Sequence, residues 1–218
     1  MRASILVING HPDPGPQRFC AAIGERYAES IRLSGAEASQ LNAGDWSLAG
    51  VRQASGSIAP ELNSARQQFA VADCVTVIFP LWLGEAPTSL RVLLDAVCGG
   101  SSGIGPLAAA RIIVTMDLPA FFYASTDRNS DCHRKQAPAR LPHIVSEQLS
   151  LIGSVGALSA AGRERWLERI ADLAARDAEH ANRSKRRSAW TRRLGPLLRG
   201  WTPAFSERRF QPKQIAQI

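Results

Sequence analysis

Apolar residues in this chain come in short unbroken runs, separated by stretches with a helical rhythm. Ile5-Leu6-Val7-Ile8 is the first run and stops at Asn9-Gly10; Cys74-Val75-Thr76-Val77-Ile78-Phe79 is the second, stopped by Pro80; Arg111-Ile112-Ile113-Val114-Thr115-Met116 is the third, stopped at Asp117-Leu118-Pro119. Short runs without polar alternation read as strands covered on both faces. Between the first two, Phe19, Ile23, Tyr27 and Ile31 recur at steps of four and predict a helix over 18–34. Leu90, Leu93, Leu94 and Val97 make an i, i+3, i+4, i+7 face, so a helix is expected over about 87–98 with Pro87 in its first turn. Pro60 opens a shorter helix over 60–71, and Trp166, Ile170 and Leu173 place another near 157–180. Residues 36–41 and 143–152 are short-strand candidates, 3–9 bound the first strand, and the Gly/Ser/Ala-rich stretch 42–59 reads as loop.

Five strands separated by helices imply a parallel sheet with helices on both faces, an open doubly wound α/β architecture. In such a sheet ligands bind beyond the carboxyl ends of the strands. Three loops leave strand ends there: Gly10–Arg18, Pro80–Pro87 (PLWLGEAP) and Asp117–Tyr123 (DLPAFFY). The first holds Pro12, Pro14 and Pro16, which fix φ and lower the entropy cost of an open loop. It runs into a helix N-terminus, where outward N–H groups suit phosphate, and His11, Gln17 and Arg18 add donors. The second carries Trp82 between two leucines on irregular backbone. The third carries Phe121, Phe122 and Tyr123, a second apolar wall for a planar ligand. Neither G-x-G-x-x-G nor G-x-x-x-x-G-K is present, so neither dinucleotide fingerprint nor P-loop is available.

The chain has 218 residues and is 45% hydrophobic, enough for one sizeable core. No run of 18 apolar residues suggests a membrane span, the N-terminal run is too short for a signal-peptide core, and a cytoplasmic protein is expected. Cys20, Cys74, Cys98 and Cys132 are scattered without zinc spacing, so no metal site is expected. The net charge of +7 is uneven: residues 176–218 carry 11 Lys/Arg against 3 Asp/Glu, and the rest of the chain is close to neutral. The basic character therefore belongs to the C-terminal part.

The stretches GHPDPGPQRF, VIFPLWLGEAPTSLRVLLD and ARIIVTMDLPAFFY together resemble the NAD(P)H dehydrogenase (quinone) family, flavodoxin-like flavoproteins of the DT-diaphorase type. The resemblance covers about residues 3–120 and again 145–172, where the terminal helix RERWLERI is similar. It implies a flavodoxin-like fold over 1–180, with 181–218 as a basic extension containing Trp and Leu. It implies FAD or FMN as cofactor, with NAD(P)H passing hydride to the flavin and the flavin to a quinone or other small acceptor, in a homodimer. By the same resemblance His11, Gln17, Arg18, Phe19 and Cys20 are phosphate-loop positions. Pro80, Leu81, Trp82 and Leu83 lie along the flavin ring, Thr115, Met116, Asp117 and Leu118 form the second ring-contacting loop, and Tyr123 is the candidate catalytic residue.

Three departures define an alternative, a degenerate member that binds flavin or regulates without efficient turnover. Asp117 stands where relatives commonly have glycine, 99–110 is short, and 124–142, with His133, does not look like the family. In the extension, six basic residues lie between Arg183 and Arg193. Trp190, Leu194, Leu197, Leu198 and Trp201 fall on one helical face, which Gly195-Pro196 should kink or break. A solvated unfolded tail, packing on a dimer partner and docking to an anionic membrane surface are the open readings; nucleic acid is disfavoured.

Overall fold

A computed structural model of the chain describes residues 2–45, 60–98, 110–120 and 148–198, and of residues 60, 61, 110 and 187–198 the backbone alone. Five strands, β1 (Ser4–Asn9), β2 (Glu37–Asn42), β3 (Cys74–Pro80), β4 (Ala110–Thr115) and β5 (Gln148–Ile152), form one sheet in the order β2-β1-β3-β4-β5. Every pairing is parallel. The helices are α1 (Phe19–Leu33), α2 (Pro60–Val71), α3 (Thr88–Cys98) and α4 (Ala160–Leu198). The sheet is the five-stranded, doubly wound flavodoxin-like arrangement that the resemblance implies, and each apolar run became a strand.

Alternation along the strands sorts the core into two halves. Leu6, Ile8, Val75, Val77, Phe79, Ile112 and Val114 face α2 and α3, where Phe69, Leu90, Leu93 and Leu94 pack against them. Ile5, Val7, Ile78, Ile113 and Ile152 face α1 and α4, meeting Ile23, Tyr27, Ile31, Ile170 and Ala174. Both faces are covered, which is why these strands carry no polar alternation. The chain reverses direction across the sheet between β1 and β3. Gly10 crosses there with its N–H on the Ile78 carbonyl at 2.6 Å. A Cβ at Gly10 would stand 2.7 Å from Leu90 Cδ2 and 2.8 Å from Phe79 Cβ, so the crossing requires glycine.

A polar cluster fastens α4 near the amino ends of the strands. The Arg111 guanidinium makes a two-pronged contact with the Asp177 carboxylate, with Nη2 to Oδ1 at 2.7 Å, and Tyr27 donates its hydroxyl to the same carboxylate. Thr76 in turn donates to the Tyr27 oxygen at 3.2 Å. Burial, and then the neighbouring Asp177 charge, push the Tyr27 phenol well above its ordinary pKa.

The terminal helix corrects one expectation. It does not stop near 180 but runs to Leu198, through Gly195 and Pro196 where a break is expected. Its continuation is anchored: Asn182 Oδ1 accepts the Ala3 N–H at 2.8 Å and Lys185 pairs with Asp73 at 2.7 Å. Glu179 and Arg183 add an i, i+4 pair. Pro196 lies in the last turn, where its missing N–H removes a single bond from the helix. No helix among the described residues is long and apolar enough to cross a membrane.

Candidate functional site

The carboxyl ends of β1, β3 and β4 bring the three loops to one edge. Contacts join them pairwise. The His11 ring meets the Trp82 ring edge-on, centroids 5.7 Å apart and planes at 82°, which couples the first loop to the second. The Leu81 N–H donates to the Thr115 carbonyl at 2.8 Å, which couples the second to the third. Cys20 Sγ and Thr115 Oγ1 lie 3.3 Å apart, tying the start of α1 to the end of β4.

The first loop is built around Asp13, which pattern reading passes over. Asn9, buried at the end of β1, accepts the His11 N–H on Oδ1 at 3.1 Å. The Asp13 N–H donates to His11 Nδ1 at 2.9 Å, which leaves the proton of the neutral ring on Nε2. Burial is the main cause holding the His11 pKa below its ordinary value, so the neutral form prevails near pH 7. Asp13 Oδ1 accepts the Gly15 N–H at 2.9 Å, while Oδ2 takes Arg18 Nε at 2.7 Å. These two contacts, Gly15 first, hold the Asp13 carboxyl below the usual carboxylate range. Gly44, in the 3₁₀ turn after β2, supports the loop from below: a Cβ there would stand 2.4 Å from the Pro12 carbonyl oxygen.

Helix α1 starts at Phe19 after Arg18, with no side-chain cap and no acid in its first turn. Its Phe19 and Cys20 N–H groups meet no acceptor among the described residues, which leaves the positive end of the helix uncompensated. Gln17 and Arg18 are exposed, and the Phe19 ring, half-buried, lies under the Arg163 guanidinium of α4 at 5.8 Å. The Cys20 side chain points into the core instead, where desolvation raises its thiol pKa to about 11.

The second loop makes a tight turn. Trp82 and Glu85 exchange backbone hydrogen bonds at 2.9 and 3.1 Å, and Leu83 and Gly84 between them have φ of 51° and 83°. A leucine in the left-handed region is strained by roughly 1–2 kcal/mol, and Leu83 is fully exposed, so no burial repays it. Trp82 is half exposed and Pro80 buried. In the third loop Met116 is buried, with its N–H on the Ile152 carbonyl and its own carbonyl on the Val155 N–H. Asp117 and Leu118 are exposed; Asp117 Oδ1 accepts the Gly156 N–H at 3.2 Å. That bond fixes the third loop to the turn after β5. Tyr123, Phe121, Phe122 and His133 lie outside the described residues, as do 99–109 and 124–142. No cluster of metal-ligating side chains occurs among the described residues.

The structure thus joins His11, Trp82, Leu81, Thr115 and Cys20, and sets the start of α1 beside them. Asp13, Asn9 and Gly44 are the supporting residues that spacing did not mark. The buried asparagine closing an apolar strand, and an acid between two prolines five residues before an arginine, are their only traces in the sequence.

The sequence matches the model of a family described as flavodoxin-like fold over residues 3–137. No curated protein matches the chain. Among solved structures, an NAD(P)H:quinone oxidoreductase from Methanothermobacter marburgensis superposes with a TM-score of 0.58 at 14% identity, covering 80% of this chain and 98% of that one. An FMN-dependent NADH-azoreductase from Bacillus anthracis, in complex with FMN, gives 0.56 at 13%, covering 81% and 99%. Smu.1420 from Streptococcus mutans gives 0.55 at 20%, covering 79% and 99%. At these identities the likeness is one of fold.

Proposed function

Because the chain belongs to the flavodoxin-like fold family, we propose that it is a flavin-dependent oxidoreductase passing electrons from NAD(P)H to a small acceptor such as a quinone. The observation that carries this reading is the junction of the three loops at the β1/β3 switch, with His11 against Trp82 beside an uncapped helix start. Structural relatives named for quinone and azo reduction support it.

The donor set fits the cofactor. The neutral His11 Nε2–H, the Phe19 and Cys20 N–H groups, Gln17 and Arg18 would hold the phosphate of FMN or FAD. Pro80, Leu81, Trp82 and Leu83 on one side, with Thr115, Met116, Asp117 and Leu118 on the other, would flank the ring, and Tyr123 is kept as the candidate catalytic residue. A bound flavin supplies the two-electron step between nicotinamide and acceptor; the chain supplies placement and exclusion of water. His11 would donate without carrying charge, and its T-shaped contact would steady Trp82. Homodimer assembly and a cytoplasmic location belong to the same proposal; for the basic extension, a solvated tail, packing on a dimer partner and membrane-surface contact stay as alternatives.

The test is reconstitution of the full chain with FMN and with FAD, followed by NAD(P)H oxidation in the presence of menadione. Acceptor-dependent oxidation well above that of free flavin is expected. Tight flavin binding with turnover no faster than free flavin would favour the second reading, a binding or regulatory member, for which Asp117 is the supporting observation: a carboxylate held in the ring-contacting loop by Gly156.

A further inference from the structure

The first loop spends its donors on the chain's own carboxylate. Asp13 Oδ1 takes the Gly15 N–H, and Oδ2 takes the Arg18 Nε–H at 2.7 Å with Nη2 in ion-pair contact at the same distance. Carboxylate and phosphate oxygens ask for the same charge-assisted bonds. We propose that Asp13 is an internal competitor for the phosphate-binding donors, and so determines how strongly the site prefers a phosphorylated ligand over its unphosphorylated counterpart. This rests on the flavin reading and adds a specificity residue to it.

Four features make the competition a matter of side chains rather than loop movement. Pro12 and Pro14 flank Asp13 and fix the backbone on either side. The Pro12 carbonyl packs so closely on Gly44 that a Cβ there would stand 2.4 Å from its oxygen. The Arg18 and Asp13 side chains are 49% and 42% exposed, and a solvent-exposed pair is weak, so an incoming phosphate opens it at small cost. The carboxyl titrates below its usual range, so its charge persists at neutral pH and repels a phosphate dianion.

Asp13→Asn isolates the charge. An amide oxygen still accepts from Gly15, and the backbone N–H still donates to His11, so the loop keeps its shape while Arg18 is released. In the full chain at low salt, fluorescence titration is expected to show FMN bound roughly two- to fivefold more tightly by Asp13→Asn than by the wild type, with riboflavin affinity unchanged. Arg18→Gln is expected to shrink that gain at least by half when combined with Asp13→Asn. A wild-type chain that prefers FMN to riboflavin, with Asp13→Asn unchanged or weaker toward FMN, overturns the inference and leaves the flavin reading standing. A gain undiminished in the Arg18→Gln background also overturns it. Equal affinity of the wild type for FMN and riboflavin, or none for either, refutes the phosphate-loop reading together with the inference.

Discussion

Replacing Asp177 by alanine removes the acceptor on which Arg111 and Tyr27 converge. The Arg111 and Asp177 side chains are 12% and 15% exposed, so the guanidinium left behind regains little water. Removing one partner of a buried pair costs about 3–5 kcal/mol, and the stranded Tyr27 hydroxyl adds about 1 kcal/mol. Against a typical domain stability of ~5–15 kcal/mol this is a large share. With a urea m-value of about 2 kcal/mol/M, the midpoint falls by about 2–3 M. Far-UV circular dichroism during urea unfolding measures it. Adding Arg111→Met should recover at least half of the loss, because removing both charges spares the chain an unpaired ion. Flavin affinity, measured well below the transition, should stay within about twofold, since the cluster lies at the opposite end of the sheet from the loops. A loss under 1 kcal/mol, or a double variant no more stable than Asp177→Ala, would refute the view that this pair fastens α4 to the sheet.

Three further outcomes follow from the same geometry. The His11 ring should titrate below 6.5 by NMR. Between its folded-state pKa and 6.5 the unfolded chain binds a proton that the folded chain does not, so stability rises with pH across that window and is level above it; a ring titrating above 6.5 would contradict this. The Cys20 thiol, buried and raised to about 11 by desolvation, should react with thiol reagents at pH 8 only as fast as the protein opens, as followed by mass spectrometry; prompt labelling would show that it is accessible. Gly44→Ala should weaken flavin binding at least tenfold or destabilise the chain by about 2 kcal/mol, since its Cβ would meet backbone at 2.4 Å, and unchanged binding and stability would place the first loop elsewhere.

Most of the architecture was legible because it follows from periodicity. A five-residue unpolarised run such as Val75–Phe79, β-branched and stopped by Pro80, reads as a strand covered on both faces, and Leu90-Leu93-Leu94-Val97 as an amphipathic helix. The helix past residue 180 was not legible. Charge-rich sequence reads as solvated, and its anchors, Asp73 for Lys185 and Ala3 for Asn182, are 112 and 179 residues away. For the same reason the Tyr27–Arg111–Asp177 cluster leaves no mark in the local pattern, since its members meet only in the folded chain. At the candidate site, loop position and residue type pointed to His11 and Trp82, but not to their contact. The role of Gly44 depends on how closely one loop crosses another, which spacing does not encode. Asp117 was marked in the sequence only as an acid where relatives commonly have glycine; its bond to the Gly156 N–H, across 39 residues, left no trace in the local pattern.

The central claim is that the edge formed by the β1, β3 and β4 loops holds a flavin. An absorbance spectrum of the purified full chain, followed by acid release and identification of the chromophore and by titration of the stripped protein with FMN and FAD, tests it directly. A yellow protein is expected, or one that becomes so with saturable one-to-one uptake, and a marked loss of that uptake in His11→Ala. A colourless protein that takes up neither flavin would contradict it.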